Sequence, residues 1–269
     1  MHGLMFLHDL QSTVVYAIFM GVAGGLAALI CALFAPLVRA PQTKEMLDVA
    51  MRTTGAVTAA LTLTLAFCAV QARSQVSDAQ RIVQAEVAAI AGVARLAQRL
   101  GVPGQPLTAA IAGYVRSIGE VEFTTMAAQG RDPATQHHAE TLEGVAYAVA
   151  AVLQSHLAND LLQEVDSLDA ARELRLQAAT AGLPTQFWML IVLLVTLVLA
   201  TGPLYPARAH VIAMLAIQSA GLGALVAFVF LMEQPFRGEF SVSVEPYHVL
   251  QRSLTHRIDS IRDVRHLVP

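Results

Sequence analysis

"TTGAVTAALTLTLAFCAVQARSQVSDAQRIVQAEVAAIAGVARLAQRL" occupies residues 53–100, and its two halves follow different rules. Residues 53–72 contain no Asp, Glu, Lys, Arg or His and supply the roughly 20 residues that a helix needs to cross a bilayer. From Arg73 onward polar residues return, and the apolar ones take helical spacing at Val83, Val87, Ile90, Ala94 and Ala97. No turn signal separates the halves. The pattern therefore predicts one helix that leaves the lipid and continues as a single rod until Gly101-Val102-Pro103-Gly104 breaks it.

Composition agrees with a chain that lives in lipid. Hydrophobic residues make up 55% of the 269, charged residues only 14%, and the mean hydropathy is +0.56. A net charge of −3 without a basic patch excludes nucleic acid as a partner. Four uncharged segments are long enough to span: residues 14–38, 53–72, 187–204 and 211–232. The second is the least apolar, diluted by its threonines. The first lacks a basic n-region and is too long for a cleaved signal, so it is expected to stay as an anchor. Cys31 and Cys68 fall inside apolar runs and form no disulfide framework.

The expected fold class is all-α, an integral membrane protein with a helical extramembrane domain between the second and third spans. Its parts are 1–72 with two spans, 73–186 as the helical domain, 187–232 with two more spans, and 233–269 as a C-terminal ribbon and short amphipathic helix. Within the domain, Pro106 opens a helix carrying Leu107, Ile111, Tyr114 and Ile118 on one face. A further helical region is expected over about 136–180, closed by Gly182-Leu183-Pro184 just before Trp188, an aromatic ring placed where membrane interfaces favour one. Pro235 stops the fourth span, Gly238 frees a turn, and Phe240, Val242 and Val244 alternate with polar residues, which predicts a strand-like ribbon. Beyond Tyr247, apolar residues among arginines and histidines predict an amphipathic helix docked on protein or lying on lipid.

Few residues carry chemistry. Glu86 falls between Val83 and Ile90 on the apolar stripe, and Glu122 follows Ile118 by four. An acid on a packing face must be paired, so each is either an ion or proton site or an interhelical link to Arg95, Arg116, Arg172 or Arg175. Thr54, Thr58 and Thr62 recur every four residues along the second span, with Gln71 near its end, and are candidates to line a wet path or to bond across helices. Gly21 and Gly25 in the first span, and Ser219 and Gly223 in the fourth, have the spacing of close helix contacts. No catalytic motif occurs, no cofactor is implied, and the adjacent His137 and His138 lack metal-ligand spacing.

Several short stretches resemble one family in order and spacing: "EVEFTTM" (120–126), "RLQAATAGLPTQFW" (175–188), "QPFRG" (234–238) and "VSVEPY" (242–247). Together they resemble the bestrophin-like domain family of bacterial multi-pass membrane proteins, with Phe123 standing where the family pattern has Trp. Pro235, Phe236, Gly238, Glu245 and Pro246 form its juxtamembrane motif. The resemblance implies kinship with an anion-channel fold and a cytoplasmic domain. The expected function is a homo-oligomer in the cell (inner) membrane, channel-like and lined by the second span, that passes small inorganic ions, anions by that resemblance. A non-conducting sensor or scaffold acting through the helical domain is the competing expectation. Basic residues leave the orientation open, with Arg39, Lys44 and Arg52 on one side and Arg73, Arg81, Arg172, Arg175, Arg237 and Arg252 on the other.

Overall fold

The computed structural model describes residues 7, 8, 10–35 and 43–265. These residues form helices and connecting turns, with no strand among them. In chain order the α-helices are α1 (Ser12–Phe34), α2 (Lys44–Arg99), α3 (Gln105–Ser117), α4 (Phe123–Gln129), α5 (Pro133–Ala150), α6 (Ser155–Ala179), α7 (Thr185–Thr201), α8 (Ala209–Met232) and α9 (Glu245–Arg265). Four of them, α1, α2, α7 with its 3-10 extension to Leu204, and α8, are long and apolar enough to cross a membrane. The last residues of the first expected span, 36–38, lie outside the described residues.

α2 is continuous over 56 residues, so the passage from threonine-rich apolar sequence to amphipathic sequence occurs without a break. At about 1.5 Å per residue such a helix extends roughly 80 Å. It ends where Gly101 adopts φ +66°, open to glycine at no steric cost. Gly104 then packs its α-carbon against the Ala97 backbone, where a Cβ would have no room.

The chain divides into two compact units. The first contains the described residues up to Gln75, Gly182–Gln234 and Gly238–Phe240. Its core joins Leu61, Leu65 and Cys68 of α2 to Trp188 and Ile191 of α7 and to Leu222, Val229 and Phe230 of α8. α1 packs closely on α8 because small residues let the backbones approach. A Cβ on Gly24 would stand 3.0 Å from the Ala216 carbonyl oxygen, and one on Gly223 only 2.6 Å from that of Phe19. Ser219 is buried one turn from Gly223. Gly21 and Gly25 are placed differently: a Cβ on either would meet no atom of this chain. The contact runs through Gly24, since Gly21 and Gly25 lie on the exposed side of α1.

The second unit holds Val76–Ala181, Pro235–Arg237 and the described residues from Ser241 onward. Val83, Ile90, Leu107, Ile111, Ile118, Leu142, Leu161 and Tyr247 share its core. Asp132 caps α5, its Oδ2 accepting from the Thr135 amide at 2.8 Å, with Pro133 at the first helical position. The helical region expected over 136–180 is two helices. Residues 151–154 turn between them, and Arg172 near the end of α6 donates to Gln136 near the start of α5 at 2.7 Å, so α6 runs back along α5.

The expected ribbon is corrected. Residues 238–244 form turns and bends. A strand needs a partner edge, and here the Val242 amide instead donates back to the Pro235 carbonyl at 2.8 Å. Phe236 and Val242 enter the core of the second unit and Val244 packs against it, while Phe240 stays exposed. Gly238 turns at φ +82°, and α9 begins at Glu245.

Gly223→Ala should force α1 and α8 apart and lower stability by about 1–3 kcal/mol, as overpacking does, read as an earlier thermal transition in detergent. Gly21→Ala and Gly25→Ala should leave that transition in place; an equal loss at these positions would refute the packing described.

Candidate functional site

Hydrocarbon-rich helix faces do not tolerate a bare carboxylate, so the two acids on apolar stripes dictate what surrounds them. Glu86 (α2) and Glu122, in the π-turn Ile118–Glu122 between α3 and α4, are both fully buried. Two arginines one turn apart on α6 meet them. Arg175 places Nε 2.5 Å from Glu86 Oε2 and Nη2 2.5 Å from Glu122 Oε2. Arg172 places Nη2 3.1 Å from Glu122 Oε1. Of the four arginines that the sequence offers as partners, the structure brings Arg172 and Arg175 to the acids.

Two tyrosines complete the group. Tyr114 (α3) donates to Glu86 Oε1 at 3.0 Å, and Tyr247 (α9) donates to Glu86 Oε2. The Arg172 and Arg175 guanidinium carbons lie 5.9 and 6.0 Å from the ring centres of Tyr114 and Tyr247. Phe123 links Phe236 and Tyr247 edge-on, at 5.7 and 5.8 Å between ring centres. The short 234–247 motifs of the sequence thus deliver Phe236 and Tyr247 to the network. Tyr247 was visible there only as the last letter of "VSVEPY".

Two carboxylates and two guanidiniums cancel formally, which is the condition for keeping four charges out of water. Burial works against the Arg175 cation, but the Glu86 carboxylate, then Tyr247 and Glu122, more than offset it, so its pKa lies well above the ordinary arginine value. Burial, reinforced by the Glu86 charge, raises both the Tyr114 and Tyr247 phenols well above 10.0. Glu86 accepts from Arg175 Nε and Nη2 and from both phenols. Those donors occupy the lone-pair sites of one carboxylate. The arrangement is suited to holding α2, α3, α6 and α9 together.

The three candidate threonines of α2 lie within about 80° of one another around the helix, but their exposure rises from Thr54 to Thr62. Thr54 is buried, accepting from the Tyr205 hydroxyl at 3.0 Å. Thr58 Oγ1 accepts from Gln218 at 3.2 Å. Thr62 is exposed and donates to the Thr58 carbonyl at 2.9 Å. Gln71 is exposed too, but at about 100° per residue it lies on the opposite flank of α2 from Thr62.

An acid that the sequence reading passed over sits just beyond α8. Glu233 is buried and accepts from Trp188 Nε1 at 2.9 Å, and burial raises its pKa. Its signal was the residue before "QPFRG". His137 and His138 hold their ring centres 6.4 Å apart; among the described residues no cluster of three or more His, Cys, Asp or Glu could hold a metal.

Four spanning helices joined to a helical domain define a multi-pass membrane protein. Residues 25–247 match the Bestrophin-like domain, and the chain belongs to that family. A crystal structure of a membrane protein is similar in fold, with a TM-score of 0.61 at 13% sequence identity, over 87% of this chain and 97% of that one. No curated protein matches the chain.

Glu86→Gln should leave Arg175 with one charged partner and destabilise the protein by about 3–5 kcal/mol, measured as a fall in the detergent melting temperature. Tyr247→Phe should cost about 1–3 kcal/mol, the scale of an unsatisfied buried acceptor. Alkali supplies a second test. Phenol pKa values raised in the folded state mean that the folded protein keeps protons the unfolded chain releases, so stability is intact below pH 10 and declines as pH climbs through the folded values. Melting temperatures recorded across that range should fall less steeply in Tyr247→Phe; an identical slope would remove the phenol from the account.

Proposed function

We propose that this protein is a channel-like membrane protein that assembles as a homo-oligomer in the cell (inner) membrane and passes small ions, anions by kinship. The observation that carries the reading is the Bestrophin-like match across residues 25–247, which takes in three of the four spans whole and part of the first. Incomplete self-covering supports it: within the most apolar stretch of each span only 17–39% of residues are buried by the chain itself. The remainder must meet lipid or further subunits. α2 exposes Thr62 together with Leu63 and Phe67, a mixed polar and apolar surface. A pore without intramembrane charge can conduct through hydroxyls, backbone dipoles and an apolar constriction.

One observation favours the non-conducting scaffold instead. Thr54 and Thr58 are engaged within the chain, which leaves few hydroxyls on α2 to face a water-filled path. Reconstitution separates the two. Thr62→Val should change single-channel conductance in planar bilayers while Thr54→Val leaves it unchanged, and native mass spectrometry should find rings of about four or more subunits. An electrically silent particle, or a monomer or dimer, would overturn the channel reading in favour of the scaffold.

A further inference from the structure

A cavity of about 300 Å³ lies among the four spans, walled by Val22 of α1, Leu61 of α2, Val195 and Val198 of α7 and Leu222 of α8. Ser219 is the one polar residue among the described residues that line it. Its origin is the close contact of α1 with α8. Gly24 and Gly223 draw those two helices together backbone to backbone, and α1 meets the end of α7 at Gly202, where a Cβ would stand 3.9 Å from Ile30. The cavity takes up space beside these contacts, bounded by Gly223 on α8 and Leu199 on α7.

Water does not fill such a space. An internal water needs about two to four polar partners, and a cavity of about 150 Å³ lined by Leu, Ile and Phe stays dry and takes up benzene. At roughly twice that size, this one has room for about a dozen carbon atoms. Ile18, Val22 and Leu26, exposed at intervals of four on α1, also line it, so it opens on the outer surface of the bundle. That surface belongs to membrane spans, and the medium around a span is hydrocarbon. A neighbour's helix, about 10–12 Å across with its side chains, does not enter a cavity of 300 Å³. The rim is also branched, where helices that pack closely in lipid present small residues. A flexible hydrocarbon chain suits both the volume and the rim.

We propose that this cavity is a lipid site that holds one acyl chain of a membrane glycerolipid, the chain entering past Ile18, Val22 and Leu26 while the headgroup stays outside. Recognition is by shape and apolar contact, so the chain is selected and the headgroup is not. The bound chain completes the packing between α1 and α7. The assignment does not depend on whether the spans conduct.

The test is delipidation of the full chain in detergent, followed by titration with dioleoyl phosphatidylcholine and native mass spectrometry of the lipid retained. One lipid per chain should survive activation that strips the rest, and glycerophosphocholine, the same head without chains, should not displace it. Val195→Phe fills the cavity and should cut retention by at least about tenfold, the scale of one overpacked side chain. Val22→Phe narrows the mouth from an exposed position that places no burden on the fold, and should act in the same direction. Ile217→Phe, at a 72% exposed position of α8 outside the lining, should leave retention unchanged. No lipid retained by the wild type, unchanged retention in both cavity variants, or an equal loss in Ile217→Phe would each overturn the proposal. Retention by dissociated chains but not by the assembled particle would overturn it too, by giving the cavity to a side chain of a neighbouring subunit.

Discussion

Arg175 has no access to water and no neutral form within reach of physiological pH, so its environment is an obligation that the rest of the second unit must meet. Two carboxylates meet it from different parts of the chain, Glu86 on the long helix and Glu122 at a π-turn, and Arg172 returns the balance to zero. The π-turn is part of the solution. An extra residue in the turn changes where the following side chains point, and Glu122 falls at its end. Hydrophobic packing alone would accept α6 in several registers. A planar guanidinium reading two carboxylates accepts one.

The membrane unit uses a different device. Without a hydrophobic driving force between helices in lipid, close contact must come from shape. Gly24 and Gly223 bring α1 and α8 together backbone to backbone. Polar pairs such as Tyr205 with Thr54 and Trp188 with Glu233 satisfy groups that lipid cannot. One unit is therefore specified by charge geometry and the other by the absence of side chains.

The sequence reveals the spans and the unbroken α2 because twenty uncharged residues and a missing turn signal are local facts. Glu86 and Glu122 stand out for the same reason, as acids on apolar stripes. Their partners do not, since four arginines fit the sequence equally and only the return of α6 along α5 selects two. Between those helices the chain turns at Ala151-Val152-Leu153-Gln154, with neither glycine nor proline to mark it. The alternation at 240–244 looks like a strand because period two describes a single segment and is silent about a neighbouring edge. Small-residue spacing in α1 nominates Gly21 and Gly25, yet which flank of a helix meets its neighbour is a tertiary fact, and it falls on Gly24.

The Tyr247 hydroxyl reaches Glu86 across 161 positions of chain, and α7 and α8 lie between them in sequence. During synthesis Glu86 and Arg175 emerge before that phenol, with α7 and α8 made in between, so one acceptor site of Glu86 lacks this donor until α9 follows. Long-range closure of this kind is slow and leaves partly packed intermediates exposed to misassembly. The network around Glu86 is therefore complete only once α9 has been made, and a chain ending before α9 would lack the donor that seals it.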